Sequence, residues 1–266
     1  MAGFSGEKDQ NRTAPLIMAS SAAEYLLINN NNTRTKFALA SADGLLAHES
    51  MPSGEVEAAA VRELLAKWEF EKVVLASVVP MHVEALREAQ NGRPLVEVSH
   101  EIELGILVDF PDPSKVGADR LANAVAVAGR FPGESVVVVD FGTAVTFDIV
   151  DPRPAYIGGV IAPGLDAMRH YLHQRTALLP EIELARPDSA IGKTTEHAMQ
   201  SGAFYGYRGL VREILAQIEA ETGVSAKTIA TGGYAALIAE DMPEIALVEP
   251  YLTMEGLLRV ACLNFS

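Results

Sequence analysis

From Tyr25 onward the chain alternates short apolar runs with amphipathic stretches, a pattern that predicts an α/β protein. Three runs, near residues 25–29, 33–40 and 45–51, are joined by turns too short to hold a helix. Asp43-Gly44 adds a hairpin signal, so the chain opens with an antiparallel meander. Residues 55–68 place Val56, Ala60, Leu64 and Trp68 on one face at helical spacing, and the apolar run over 72–76 reads as a buried strand. A helix over 81–89, strands over 95–98 and 105–108, and a helix over 119–130 follow.

The pattern then restarts. Phe131-Pro132-Gly133 stops the preceding helix, because proline and glycine cannot continue it. Residues 135–140, 143–150 and 155–162 form a second predicted meander, with Pro152 in the turn between the last two strands. Helices over 165–178 and 194–221, a strand over 227–231, and two terminal helices flanking 245–248 complete the prediction. Both halves run hairpin, third strand, helix. We therefore expect two related lobes, 24–132 and 133–266, with a nucleotide cleft between them. Residues 1–23 lack clear periodicity apart from Pro15-Leu16-Ile17-Met18 and are expected to form a flexible extension.

The repeat extends to its turns. Leu26-Leu27-Ile28 leads into Asn29-Asn30-Asn31-Asn32-Thr33-Arg34-Thr35-Lys36, and Val137-Val138-Val139 leads into Asp140-Phe141-Gly142-Thr143. Each is an apolar strand ending in a small polar turn. Such turns direct backbone N–H groups and hydroxyls into one concavity, which suits a phosphate. The second copy has Asp140 and Gly142 where the first has Asn29 and Asn31.

Composition narrows the function. The 266 residues, 49% hydrophobic, can bury two cores of about 100 to 150 residues each. A formal charge of −14 argues against a general nucleic-acid surface, which needs clustered cations. The single cysteine, Cys262, excludes an intramolecular disulfide framework and a cysteine-rich zinc site, and is expected to be a buried apolar thiol. No apolar run approaches the roughly 20 residues that span a bilayer, and the polar N-terminus lacks a secretory signature, so the expected location is the cytoplasm, without a membrane partner.

Several segments could carry chemistry. Asp140 falls where a buried strand meets a turn, which suits a cation or phosphate site, although an ordinary Asp-Gly turn between strands is the better reading of this motif in isolation. Gly232-Gly233, between a strand and a helix, either passes the backbone close to an adenine or ribose or is a plain strand-to-helix turn, the two readings being equal in isolation. Gly117-Ala118-Asp119-Arg120 opens a helix, so Asp119 is either an N-cap or a general base for a substrate hydroxyl, with Arg120 neutralising phosphate or carboxylate charge. Gly192-Lys193-Thr194-Thr195 also opens a helix but lacks the upstream glycine of a P-loop; Thr195 is a cap or a substrate contact. His170 and His173 lie three apart on a predicted helix without further metal ligands nearby, and Glu181 and Glu183 read as a solvated stretch.

Taken in order, these segments resemble the type III pantothenate kinases of the acetate and sugar kinase, heat-shock protein and actin superfamily. The matching pieces are the turn at 29–36, Ser77-Val78-Val79-Pro80, Gly117 to Arg120, Asp140 to Ala144, Gly158-Gly159-Val160-Ile161-Ala162-Pro163-Gly164, Gly192 to Thr195 and Thr231-Gly232-Gly233. The resemblance implies two duplicated ribonuclease H-like (actin-like ATPase) lobes and transfer of the ATP γ-phosphoryl group to pantothenate. It implies Asp119 as the base, Phe110, Gly117, Ala118, Asp119, Arg120 and Thr195 as pantothenate contacts, and residues 29–36 with Thr143, Gly232 and Gly233 as ATP contacts. It further implies Mg²⁺ with ATP, a monovalent cation (K⁺ or NH4⁺) on Asp140, and a homodimer.

Three positions depart from the family pattern: Asn29 for aspartate, Asn31 for glycine, and Phe110 for tyrosine. A charge lost about 4 Å from a cationic centre is worth roughly 1 to 4 kcal/mol, or about ten- to a thousandfold in rate. Residual catalysis is therefore expected, and the alternative is an impaired homologue that binds nucleotide or pantothenate as a regulator.

Overall fold

The computed structural model describes residues 23–265, so the extension expected over 1–23 lies outside the described residues except for Ala23. In chain order the first half contains β1 (Tyr25–Asn30), β2 (Arg34–Ser41), β3 (Gly44–Pro52), α1 (Ala58–Leu65), β4 (Lys72–Ser77), α2 (Pro80–Ala89), β5 (Leu95–Glu97), β6 (Leu107–Val108) and α3 (Ala118–Arg130). The second contains β7 (Val136–Phe141), β8 (Ala144–Asp151), β9 (Ala155–Pro163), α4 (Leu165–Arg175), α5 (Thr195–Thr222), β10 (Lys227–Thr231), α6 (Ala235–Ala239), β11 (Leu247–Val248) and α7 (Leu252–Asn264). The helix expected over 55–68 is shorter, because Ser53–Glu55 forms a separate 3-10 turn and Glu57 takes the N-cap position of α1.

One sheet runs β3-β2-β1-β4-β5 and the other β11-β10-β7-β8-β9-β6. In each, the first hairpin is antiparallel and the strand across from it is parallel, β4 beside β1 and β10 beside β7. Leaving out β6, the two orders are the same, which defines a duplicated ribonuclease H-like fold. Register makes the duplication residue-specific: Asn29 faces Lys36 across the first hairpin as Asp140 faces Thr146 across the second.

The layers follow from period-2 alternation. Tyr25, Leu27, Ala38 and Ala40 of the first sheet, and Val136, Val138, Val150 and Tyr156 of the second, share one core with α3 and α7. Leu26, Ile28 and Phe37 point the other way, onto α1 and α2. Val137, Val139, Phe141 and Phe147 pack towards α5 and α6. Helices α3 and α7 thus lie between the sheets. They approach closely because Gly256 has no Cβ where the Ala122 carbonyl sits.

Two elements depart from a simple reading of the halves in sequence order. β6, expected beside the first-half strands, pairs in parallel with β9 of the second sheet, Leu107 opposite Ala155. The C-terminal α7 packs against α3 and the first sheet, where Lys72 Nζ donates to the Phe265 carbonyl at 3.4 Å. Cys262, expected to be buried, is exposed on α7; its neighbours Val260 and Ala261 take the inward positions.

Candidate active site

Alternation also selects the polar residues of the central layer. Asn29 continues the inward row of Tyr25 and Leu27, Asp140 that of Val136 and Val138, and Asp148 precedes Val150 on the same face of β8. All three point towards the N-terminal ends of α3 and α7. Asp119, Arg120 and Asn123 enter from α3, and Thr253 from α7, whose hydroxyl donates to Asn123 Oδ1 at 2.8 Å.

Gly117 occupies the N-cap position of α3, so Asp119 is not the cap but lies in the first turn. Its Oδ1 accepts from the Arg120 N–H at 2.9 Å. A Cβ on residue 117 would lie 2.7 Å from that oxygen, so glycine there leaves room for the carboxylate. Burial raises the Asp119 pKa above its ordinary value, while the Arg120 N–H and charge pull it down.

Asp140 is pushed up to about 6, first by burial and then by the Asp119 charge, against Lys36 and Asn123. Gly232, at φ 93°, passes directly over it; a side chain there would meet Asp140 Oδ1 and the Phe141 backbone. Gly233 beside it is exposed. Asp148 is fully buried and receives Arg120 Nε on Oδ1 at 2.6 Å. Burial pushes its carboxyl up to about 7 against the pull of Arg120.

The two turns meet. Thr33 Oγ1 and Thr143 Oγ1 share a 2.8 Å hydrogen bond. Within the first turn, Asn32, Thr33 and Arg34 are exposed, and Arg34 Nη2 donates to Ser50 Oγ at 2.8 Å. Asn30 points away from the central layer: Nδ2 donates to Thr35 Oγ1 at 2.7 Å and Oδ1 accepts from Ser77 at 2.8 Å, so this side chain braces the strand. Thr35 is likewise buried, against Ser53. Asn29 and Lys36 line a cavity of about 140 Å³ with Thr253 and Met254.

Other expected residues make different contacts. Thr194 caps α5 by accepting the His197 N–H at 3.2 Å, which leaves Thr195 exposed as its first residue. Among the described residues, no hydrogen bond or ion pair joins Gly192, Lys193, Thr194 or Thr195 to the Asp119 cluster. Phe110 packs its ring against Tyr156, centroids 6.3 Å apart. His170 faces Glu181 and His173 the Leu179 carbonyl, and no cluster of metal-ligating side chains occurs among the described residues. Asp148, Asn123 and Tyr156 were missed in the sequence; an acidic residue inside the apolar β8 run was the available signal for the first.

The donor set suits the groups the family pattern implies. The buried Oδ1 atoms of Asn29 and Asn31 lack hydrogen-bond partners, leaving neutral oxygen acceptors at the head of the first turn. Three carboxylates, Asp119, Asp140 and Asp148, face only Arg120 and Lys36 as charge partners in the shifts they show, so an added cation is electrostatically favoured at Asp140.

Two ribonuclease H-like lobes with a polar phosphate-type turn at the head of each central hairpin define the actin-like ATPase and sugar kinase class. Comparison with known proteins is more specific. The type III pantothenate kinase family matches residues 25–217. A type III pantothenate kinase of Akkermansia muciniphila is 50% identical over 241 residues, covering 90% of this chain and 99% of the relative. Its counterpart in Methylacidiphilum infernorum is 37% identical, covering 87% and 86%. A solved Baf-family protein of Campylobacter jejuni superposes with a TM-score of 0.60 at 20% identity, over 89% of this chain and 97% of that one, a likeness of fold. The chain belongs to the type III pantothenate kinase family.

Proposed function

We propose that this protein transfers the γ-phosphoryl group of ATP to the terminal hydroxyl of pantothenate, giving 4′-phosphopantothenate at the start of coenzyme A biosynthesis. One observation carries the chemistry: a half-buried carboxylate, Asp119, lies at the N-terminal end of α3 beside Arg120 and within electrostatic reach of Asp140 at the head of the second turn. Asp119 takes the proton from the acceptor hydroxyl as the oxygen attacks. Arg120 holds an anionic group of the reactants. Phosphoryl transfer needs mainly positioning and charge stabilisation, which suits a site built from turns, hydroxyls and cations.

ATP brings Mg²⁺ as its metal complex, and Mg²⁺ commonly rests on phosphates and water with few protein ligands. The exposed Asn32, Thr33 and Arg34 of the first turn hold the phosphates with Thr143, with Lys36 rather than a carboxylate beside Asn29, while Asn30 and Thr35 brace the turn from beneath. Gly232 and Gly233 pass the backbone close to the nucleoside. The lobes 24–132 and 133–266 close around it, with the swapped α7 and β6 as ties. A monovalent cation, K⁺ or NH4⁺, sits on Asp140 and supplies the positive charge that the acidic cluster lacks.

Thr195, Gly117, Ala118 and Phe110 complete the acceptor pocket. Among the described residues Thr195 makes no hydrogen bond to the Asp119 cluster and is exposed, which supports a second copy of the chain completing this part of the pocket. Exposed Tyr171, Leu178, Ile191 and Tyr205 on and between α4 and α5 support a homodimer through that region. The reaction takes place in the cytoplasm; no described helix is long and apolar enough to cross a membrane.

A coupled assay for ADP, with Mg²⁺ and K⁺, tests the reading. Pantothenate-dependent ADP release is expected. No release from the wild type or from Asn29→Asp would overturn it, and nucleotide binding without turnover would return the protein to the regulatory alternative.

A further inference from the structure

The most elaborate interaction in the central layer involves a residue with no assigned role. Asp148 is fully buried in β8, yet it is charged when paired with Arg120, whose Nε donates to its Oδ1 at 2.6 Å. A buried carboxylate in an apolar strand costs stability unless a cation and hydrogen bonds compensate it. The surrounding backbone is shaped to the same guanidinium. Arg120 Nη2 reaches the Phe147 carbonyl at 3.4 Å, and Gly159 on β9 leaves open the volume that Nη2 enters, since a Cβ there would collide with both. The Tyr156 ring lies under the guanidinium, 5.7 Å from its carbon to the centroid.

This cage grips only part of the side chain. Nε and Nη2 face β8, while Nη1 has no partner among the described residues, and the side chain retains 15% exposure. An arginine held by one edge presents its other N–H groups in a fixed direction, the arrangement that recognises an oxyanion with least loss of entropy. Asp148 is also close enough to Tyr156 for the tyrosine hydroxyl to feel the carboxylate charge, and neither that hydroxyl nor Asp148 Oδ2, both buried, has a hydrogen-bond partner among the described residues.

We propose that Asp148, backed by Tyr156, is a positioning residue that fixes the Arg120 guanidinium so that its free edge meets an oxyanion of the reactants. The proposal rests on the phosphotransfer reading above. The oxyanion is either the acceptor carboxylate or the transferring phosphoryl group, and kinetics separate the two.

The test compares the wild type with Asp148→Asn and Tyr156→Phe, using pantothenate and pantothenol, in which an alcohol replaces the carboxylate. Asp148→Asn is expected to lower kcat/KM for pantothenate by about ten- to a hundredfold, the usual scale for losing a group that orients a functional side chain. Tyr156→Phe shifts the same parameter less. A loss in KM that shrinks with pantothenol identifies the acceptor carboxylate; a loss in kcat with both acceptors identifies the phosphoryl group.

Wild-type kinetics in Asp148→Asn overturn the proposal, as does a loss that merely follows a fall in melting temperature and ATP affinity. Should Asp148→Asn fail to fold, Tyr156→Phe decides, and unchanged kinetics there overturn it. An active wild type with indifferent variants sinks this inference alone, whereas a wild type inactive on pantothenate sinks the phosphotransfer reading with it.

Discussion

The hydroxyls of Thr33 and Thr143, 110 residues apart in sequence, lie 2.8 Å from each other and join the two turns that open the central hairpins of the two sheets. The contact places equivalent positions of a duplicated fold on opposite sides of one cleft. Hydroxyls that bond each other across a cleft can instead turn to phosphate oxygens between them, exchanging one hydrogen bond for others of similar strength. Thr33→Ala or Thr143→Ala should therefore raise KM for ATP by roughly two- to tenfold, the worth of one neutral hydrogen bond. Unchanged KM in both variants would remove the turns from the nucleotide site.

Asp119→Asn should lower kcat by about 10² to 10⁴, the usual contribution of a general base, with ATP affinity retained in calorimetry. The working base is the deprotonated carboxylate, and burial raises its pKa. The acidic limb of kcat/KM should consequently lie above the ordinary carboxylate range. Because Asp119, Asp140 and Asp148 act on one another, its midpoint belongs to the cluster. A limb at the ordinary value would argue against a buried base.

Asn29→Asp restores a negative charge at the head of the first turn, next to a phosphate-bound metal. The gain should be about ten- to a thousandfold in kcat, from roughly 1 to 4 kcal/mol of charge interaction. Asn29 is buried and its Oδ1 has no hydrogen-bond donor, so without bound metal the new carboxylate should lower the melting temperature even as it raises kcat. No gain at saturating Mg²⁺ would show that Lys36 or water already meets the metal's needs.

Two glycine substitutions should have opposite signs in urea unfolding. Helical glycine replaced by alanine normally stabilises by about 1 kcal/mol, and Gly209 on α5 has open space for a Cβ. Gly256→Ala, by contrast, drives a methyl into the Ala122 carbonyl and should destabilise by about 1 to 3 kcal/mol, as overpacking does. Equal effects would contradict the close packing of α3 on α7.

The Asp140 pKa of about 6 in the fold exceeds its ordinary value of 3.8, so between these the folded state binds more protons than the unfolded chain. That contribution to stability is present below about pH 4 and is lost as pH rises through about 6. Asp140→Asn should flatten this part of the stability curve when unfolding is followed across the range without added K⁺. An identical slope would place Asp140 in a less buried setting.

Much of the architecture was legible because it is local. The two meanders, the strand that follows the helix or helices of each half, and the breaks at Asp43-Gly44 and Phe131-Pro132-Gly133 are written in periodicity and turn chemistry over windows of ten to twenty residues. Alternation even assigns Asn29 and Asp140 to the faces they occupy. Local pattern misled where a short segment had several partners available. Leu107 and Val108 read as a strand but carry nothing that names β9 as their neighbour. Cys262 sits in an apolar run, yet helical phase turns it outward.

By itself, the sequence determined the α/β class, the duplication, the order of the elements and the positions of the polar turns, since each follows from residues adjacent in the chain. Tertiary structure alone decided that α7 returns between the sheets, that Asn30 braces a strand while Asn29 faces the central layer, and that Thr194 rather than Thr195 caps α5. It also decided that Arg120 is held by Asp148. The reason is physical: a buried charge finds its partner through packing across three dimensions, and Arg120 and Asp148, 28 positions apart, carry no local trace of that meeting.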